Sequence, residues 1–581
     1  MSFCIERVRR TAAALSLFGL LLAAATSGSA ADLRQQVAAH IEVGEFAPAL
    51  KLARAADRNQ ADPLLGQIAA AQAAAGLRHA ALATAGDISD GLIRSSTLSQ
   101  ITSEPVRARG GAGGVEVDFD PLIDLIEATV SPDSWDEAGG GGAIDGFKGG
   151  VFVDAEGVLR PLIKIENGTR LSLTRSRAAV AADNSDARRP SAMRKVSLTR
   201  LEKVVELRRA AGEKLDQDMR MLAGLQRIEF VFVYPESGEI VLAGPAGDWR
   251  FDAEGRAVNP KSGRPVCQLD DLVVVLRHMT SADDARFGCN IKPRPEALAK
   301  TQEVLKALRS KPFPVGKRAR DAWAEKIRSA VGKQDIEVYG VDARTRVGRV
   351  MVEADYHMKL IGMGLEPGVQ GVTSYLDSIK LAKGEAPPTM DVLRWWFTLN
   401  YDAVKSTADG NAFAFSGQGA QVLSENEMLT KLGKRVHTGK SEHLNRQFAA
   451  GFTKQFEHLA IKYPVYAELR NIFDMALVGA LIRSERLDES SGWRMSYFGD
   501  AKKYQVALAR APRQVETVIN HRLINQAKRQ HIVAGVSGGV TVDPRDLVSR
   551  KHIKIDREGR LSKERSSGKP LDLPKNRWWW D

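Results

Sequence analysis

The sequence predicts a multidomain α+β protein: α-helical hairpins near the start, then two mixed α+β units. Three observations carry that expectation. At 581 residues the chain is several times the usual size of one domain. Residues 32–94 are rich in alanine and keep a helical period. Beyond residue 119, helical stripes interleave with short alternating apolar runs bounded by turn residues.

Residues 1–31 read as a cleavable secretory signal peptide. Arg7, Arg9 and Arg10 stand against Glu6, and Thr11 to Ala25 then runs without a charge. That apolar run of about fifteen residues is shorter than the roughly 20 needed to span a bilayer as a helix. Gly28-Ser29-Ala30-Ala31 offers cleavage after Ala30 or Ala31. No later stretch is long and apolar enough for a second span. The expectation is an exported protein, periplasmic or extracellular, whose mature chain has no transmembrane span.

Segment 32–94 repeats with a period of 32: Gly44 is followed by Ala49 and Ala56, and Gly76 by Ala81. Small residues at these offsets let antiparallel helices approach closely, and the spacing resembles tetratricopeptide repeats. Asp62-Pro63 falls where such a repeat turns, and the second copy fades at Ile88. Two copies fall short of the roughly three that normally stand alone. The hairpins are therefore expected to dock on something else and to offer a partner surface. A Gly-rich linker follows at 95–118, including RARGGAGG.

In the first α+β unit, 119–311, Asp120 to Val130 reads as a helix, and Val151–Val153 with Val158–Leu159 as a hairpin. Residues 174–197 are polar and basic, the pattern of a loop. One long helix is expected from Ser197 through Leu201, Val205, Leu215, Met219 and Leu222. Ile228–Tyr234 and Ile240–Ala243 form a hairpin about Glu236-Ser237-Gly238, and helices follow near 268–279 and 295–309. The second unit, 315–505, opens with strand Ile336–Val341 and a helix carrying Val347, Val350, Met351, Ala354, Met358 and Ile361. Trp395, Phe397, Leu399 and Tyr401 alternate as a strand, turned back at Asp409-Gly410 through Phe413 and Phe415. Two helical stripes follow, Phe448 to Leu459 and Leu469 to Ala480. Residues 506–549 read as a helix plus a β-hairpin. The stretch 550–581 carries ten Lys or Arg against five acids and ends in Trp578-Trp579-Trp580. It is expected to be extended and pinned by its tryptophans.

Several motifs come close and fail. Gly439-Lys440-Ser441 ends a phosphate loop, but Lys434 stands where its first glycine belongs. Gly535-Val536-Ser537-Gly538-Gly539 fits G-x-S-x-G, yet apolar runs on both sides make it a hairpin turn, not a strand-turn-helix elbow. Ser416 to Gln421 echoes an acyltransferase GQG motif without its nucleophile. His437, His443 and His458 lack metal-ligand spacing. No cofactor and no metal is expected, and export sets aside nucleotides and nucleic acid as partners. The formal charge of +12 suits anionic polymers or acidic envelope partners. Beyond the signal only Cys267 and Cys289 remain, either bonded in an oxidising compartment or isolated as two buried thiols.

Two clusters are left as catalytic candidates. Glu353 and His357 stand four apart on the helix, as do Asp355 and Lys359. A carboxylate facing a histidine tunes a general base, and the same spacing also suits a solvated face. Asp136 and Glu137 lie beside Asp133, Trp135 and four glycines, a combination found in sugar-active sites, or a tryptophan packing a turn.

Five stretches then fit together: PLIDLIEATVSPDSWDEAGGGGAI at 121–144, LAGLQRIEFVFVYPESGEIVLAGPA at 222–246, VMVEADYHMKLIGMGLE at 350–366, MDVLRWWFTLNYDAV at 390–404 and RVHTGKSEHLNRQFA at 435–449. Over most of 119–545 the chain resembles an exported planctomycete family built around a domain of unknown function. The resemblance implies no established activity and no catalytic residue. Segment 121–144 also resembles a short motif of other exported planctomycete proteins, which implies a modular role for it. The expected function is a non-enzymatic envelope adaptor that holds a protein or anionic-polymer partner. The alternative is an exported hydrolase acting on a polysaccharide or other anionic polymer.

Overall fold

The computed structural model describes residues 30–42, 46–74, 78–103, 143–147, 150–154, 158–159, 186–252, 255–309, 316–380, 391–429, 435–525, 530–574 and 576–581. Most of segment 1–31, expected as a signal peptide, residues 104–118 of the expected linker, the helix expected at 120–130 and the loop carrying Asp136 and Glu137 lie outside them. Residues 95–103, expected as linker, are instead the end of helix Gly91–Ser103. The chain divides into two compact units, Met1–Gly110 with Glu206–Lys214, and Gly111–Val205 with Leu215–Asp581.

The first unit is helical: α1 (Ala30–Glu42), α2 (Phe46–Ala55), α3 (Arg58–Ala74), α4 (Arg78–Asp87) and α5 (Gly91–Ser103). Each packs on the next, and α3 also packs on α1 and α5. Of the small residues on which the repeat is read, Ala49 and Ala81 are fully buried, beside Ala53, Ala85, Leu64, Ile68 and Ile88, Ala56 is half-exposed, and Gly44 and Gly76 lie outside the described residues. Asp62-Pro63 is not the turn. Both residues lie inside α3, and the chain turns before Arg58. The Asp62 carboxylate accepts from the Ser89 and Asp90 amides at 3.0 and 2.7 Å. Asp90 in turn accepts from Leu92 and Ile93 at 2.8 and 3.0 Å, capping the orphan amides of α5. Arg94 and Glu206 form a buried ion pair at 2.8 Å, and Leu207 and Ala210 join the core.

In the second unit, among the described residues, a nine-stranded sheet runs in the order Arg435–His437, Gly419–Leu429, Asp391–Asn400, Gln530–Val542, Phe287–Pro293, Lys333–Tyr339, Gln514–Glu516, Val158–Leu159, with Ile519–Asn525 also pairing Gln530–Val542. A seven-stranded sheet runs Ile553–Ile555, Ala403–Ser406, Ala412–Ser416, Phe230–Tyr234, Glu239–Ala246, Ser191–Ser197, Trp579–Trp580. Both sheets take strands from either side of residue 312. The expected split into units 119–311 and 315–505 is therefore replaced by one interleaved unit. Helix Pro464–Ser484 is buried on every side from Val465 to Ile482, with Glu468, Arg470, Asn471 and Asp474 enclosed among its apolar residues. It packs against helices Leu269–Ser281 and Arg346–Gly362. No helix among the described residues is long and apolar enough to cross a membrane.

Five local expectations change. Ser191–Ser197 is a strand, not a loop, because its charged residues are buried with partners. The side chain of Arg194, with no solvent exposure, meets Asp581 at 2.8 Å, donates to the Ala223 carbonyl at 2.7 Å and stacks 4.5 Å over Trp579. The long helix from 197 ends at Ala210; Gly212, at φ 78°, breaks it, and Leu215, Met219 and Leu222 serve the core from a separate short helix and turn. Gly150–Asp154 pairs with Ala143–Phe147, while Val158–Leu159 joins Gln514–Glu516 in the large sheet. The described part of 506–549 forms strands where a helix was expected, and the Gly535–Gly539 stretch is the middle of one strand, Gln530–Val542. Residues 550–581 fold as well: a strand, helix Arg560–Ser566, and Trp579–Trp580 paired with Val196 and Lys195. All three tryptophans are buried, so they do pin the segment.

Cys267 and Cys289 are free thiols, each buried. Burial pushes both well above the usual thiol range, which disfavours the reactive thiolate.

Candidate functional site

The helical unit holds a groove of about 690 Å³. Its walls come from alternate helices: Ala38 and Ile41 of α1, Pro63, Gly66, Gln67 and Ala70 of α3, and Leu92, Ile93, Ser96, Thr97 and Gln100 of α5. Helices α2 and α4 contribute nothing to the lining. Close approach of α3 and α5 makes the wall continuous; a Cβ on Gly66 would sit 3.0 Å from Thr97 Oγ1. Among the described residues the lining carries no charged side chain. Ile41, Pro63, Leu92 and Ile93 give apolar surface, Gln67, Gln100 and Ser96 are exposed polar groups, and Leu92 is 54% exposed. Sequence reasoning named none of these residues as a site. Their signal was available only as helical neighbours, Gly66 with Ala70 and Ser96 with Gln100, on faces that mix small, apolar and amide side chains.

The candidate pair Glu353 and His357 lies in the second unit, and its members face different partners. Arg256 bridges Glu353 and Glu468, and Arg346 bridges Glu468 and Asp271. Glu468 and Asp271 are buried, with side chains 2% and 5% exposed. The network ties helices Leu269–Ser281, Arg346–Gly362 and Pro464–Ser484 to the loop at Arg256. His357 Nδ1 lies 2.7 Å from Tyr466 Oη, and its ring sits 4.3 Å from that of Tyr463. Neither is arranged as a carboxylate-tuned base. The second pair, Asp355 and Lys359, is not a solvated face: the two groups meet at 2.5 Å with no solvent exposure. Burial raises the Asp355 carboxyl despite the lysine beside it.

Burial, with Arg256 and Lys462 adding repulsion, pushes His357 down to about 4 from an ordinary 6.5. Between those values the folded chain binds fewer protons than the unfolded one. Its contribution is therefore complete above the unfolded pKa and lost as pH falls through the folded one. Acidification from about pH 7 to about pH 4 is expected to remove on the order of 2–3 kcal/mol through this residue. Urea midpoints at the two pH values, compared between wild type and His357→Gln, check it. An equal loss in both chains would assign the acid sensitivity elsewhere.

Two of the failed motifs meet on the nine-stranded sheet. Ser537 Oγ lies 3.1 Å from Glu427 Oε2, and His437 Nδ1 lies 3.4 Å from Glu427 Oε1 and 3.2 Å from Glu425 Oε2. The Gly439 amide donates to Glu425 Oε1 at 2.8 Å, and Arg394 Nη1 to Glu425 Oε2 at 3.1 Å. Burial pushes Glu425 up, but Gly439, His437 and Arg394 outweigh it and leave its carboxyl below the ordinary value. The carboxylate stands between serine and histidine. A nucleophile needs its base alongside, with the acid beyond, so this order serves pairing of strands rather than acyl transfer.

A DUF1598 domain, described as a protein of unknown function, is found at residues 289–375. It runs from strand Phe287–Pro293 through helix Arg346–Gly362, and so contains Arg346, Glu353 and His357. No curated protein and no solved structure matches the chain.

Proposed function

We propose that the chain is a non-enzymatic binding protein of the cell envelope, exported by its N-terminal leader, whose tetratricopeptide-like segment receives a protein partner. The observation that carries this reading is the groove of about 690 Å³ lined by α1, α3 and α5. An uncharged lining of apolar, amide and hydroxyl groups suits an amphipathic peptide segment better than an anionic polymer, because apolar contact and backbone hydrogen bonds are what it offers. A hydrolase would draw on Asp136 and Glu137, which lie outside the described residues, or on Glu353 and His357. Glu353 is engaged with Arg256 and His357 with Tyr466.

Ser96 is exposed in the groove, so Ser96→Arg is expected to change stability by no more than about 0.5 kcal/mol. The same change should weaken partner binding about tenfold or more, since it sets a solvated charge against apolar surface. Affinity capture of envelope proteins by wild type and variant, with thermal midpoints alongside, measures both. Identical capture by the two chains, or by a chain lacking residues 32–94, would contradict the proposal.

A further inference from the structure

The second unit contains a separate cavity of about 270 Å³ in which three arginines converge. Arg227 enters from the start of strand Phe230–Tyr234, Arg264 from the loop after Ala257–Val258, and Arg470 from helix Pro464–Ser484. The Arg227 guanidinium is fixed before any ligand arrives. Its Nε faces Asp474 Oδ2 at 3.3 Å and its Nη2 donates to the Gly417 carbonyl at 3.0 Å. Asp474 is itself held by the Tyr401 hydroxyl at 2.6 Å.

Arg470 is the more informative group. Its side chain is 5% exposed and is paired through Nη1 with Glu457, while its Nε finds no hydrogen-bond partner among the described residues. A buried guanidinium N–H left without an acceptor is costly. Gly419 brings both guanidinium chains close, for a Cβ there would meet Arg470 Cγ at 2.7 Å and Arg227 Nη2 at 3.2 Å. Arg264, exposed at the cavity, makes no side-chain hydrogen bond among the described residues.

The lining arginines stand against Glu229, Glu457 and, behind Arg227, Asp474, a balanced set in which Arg264 is left as the one guanidinium without a side-chain hydrogen bond among the described residues. One guanidinium left open matches a single carboxylate better than a doubly charged phosphate. Arginine's planar fork also fits a carboxylate with two parallel hydrogen bonds. Around the arginines stand Gln226, Glu229 and His458, groups that hydrogen-bond hydroxyls, beside the apolar Pro245 and Ile461. We infer that this cavity binds a small hydroxylated monocarboxylate, the chemistry of a uronic acid, with Arg470 and Arg264 holding its carboxylate. The site is built from the second unit alone and does not rest on the groove reading.

Titration calorimetry of the full chain with sodium glucuronate tests it, with glucose, inorganic phosphate and a short oligoglucuronate as comparisons. Glucuronate is expected to bind at least tenfold more tightly than glucose or phosphate. Arg264→Ala should weaken it at least tenfold with an unchanged thermal midpoint, and Arg470→Met should weaken it further in a chain whose circular dichroism remains native. Either the free acid or the oligomer binding more tightly fits the site, the second naming a polymer end as the source. No heat with either acid, equal affinity for glucose, tighter phosphate binding, or indifference to Arg264→Ala would overturn the inference.

Discussion

Replacing Glu468 with alanine is expected to destabilise the second unit by about 3–5 kcal/mol, the cost of removing one partner from a buried ion network. The carboxylate, 2% exposed, accepts from both Arg256 and Arg346. Without it, two guanidiniums stay in the interior with only Glu353 and Asp271 to balance them. Three helices meet at this point, so the loss should be felt cooperatively. Glu468→Gln keeps the shape and one oxygen acceptor but turns an –NH2 toward the other arginine, so it should still cost a large part of the alanine's loss. Urea unfolding of the three chains measures the difference. A loss below about 1 kcal/mol for the alanine variant would put the network in the class of solvated surface pairs.

Gly538→Ala is expected to be comparably damaging, at about 3 kcal/mol or more, the upper range for overpacking. Gly538 lies mid-strand opposite Trp395 in the parallel pairing of Gln530–Val542 with Asp391–Asn400. A Cβ there would fall 1.6 Å from the Trp395 carbonyl oxygen and 3.2 Å from Asp355 Oδ1. Backbone cannot move aside without parting two central strands of the nine-stranded sheet. Ser537→Ala, one residue away, removes only the hydroxyl's contacts with Glu427 and the Leu393 carbonyl and should cost about 1 kcal/mol. The two variants compared by thermal unfolding separate a spacing role for the glycine from a polar role for the serine. A Gly538→Ala chain as stable as wild type would remove the close-approach account of this motif.

What the sequence showed depended on whether burial was written in apolar letters. The stripe Val347 to Ile361 and the hairpin Phe230–Tyr234 with Glu239–Ala246 follow period and turn chemistry, and both stand close to where those patterns put them. Ser191–Ser197 was hidden because Arg194 and Lys195 occupy interior positions, satisfied by residues about 370 to 390 positions later in the chain. No local pattern shows such partners. The glycines of 535–539 read as a turn because glycine marks turns and close backbone approach alike, and only the neighbouring strand tells which. The boundary expected near 312 failed for a related reason: sheet order is non-local, and Asp391–Asn400 lies between Gly419–Leu429 and Gln530–Val542. At the candidate sites, the spacing of Glu353 and His357 placed them on one helix correctly, while Arg256 and Tyr466, which determine their chemistry, come from distant segments.

Site-specific photocrosslinking in the native envelope bears most directly on the proposed adaptor role. A photoreactive residue at Gln67 or Gln100, exposed in the groove, is compared with one at Lys51, exposed on α2 and outside the lining. The binding account predicts one discrete protein adduct from both groove positions, none from Lys51, and its loss when Ser96→Arg is added. No adduct from the groove, or the same adducts from Lys51, would contradict it.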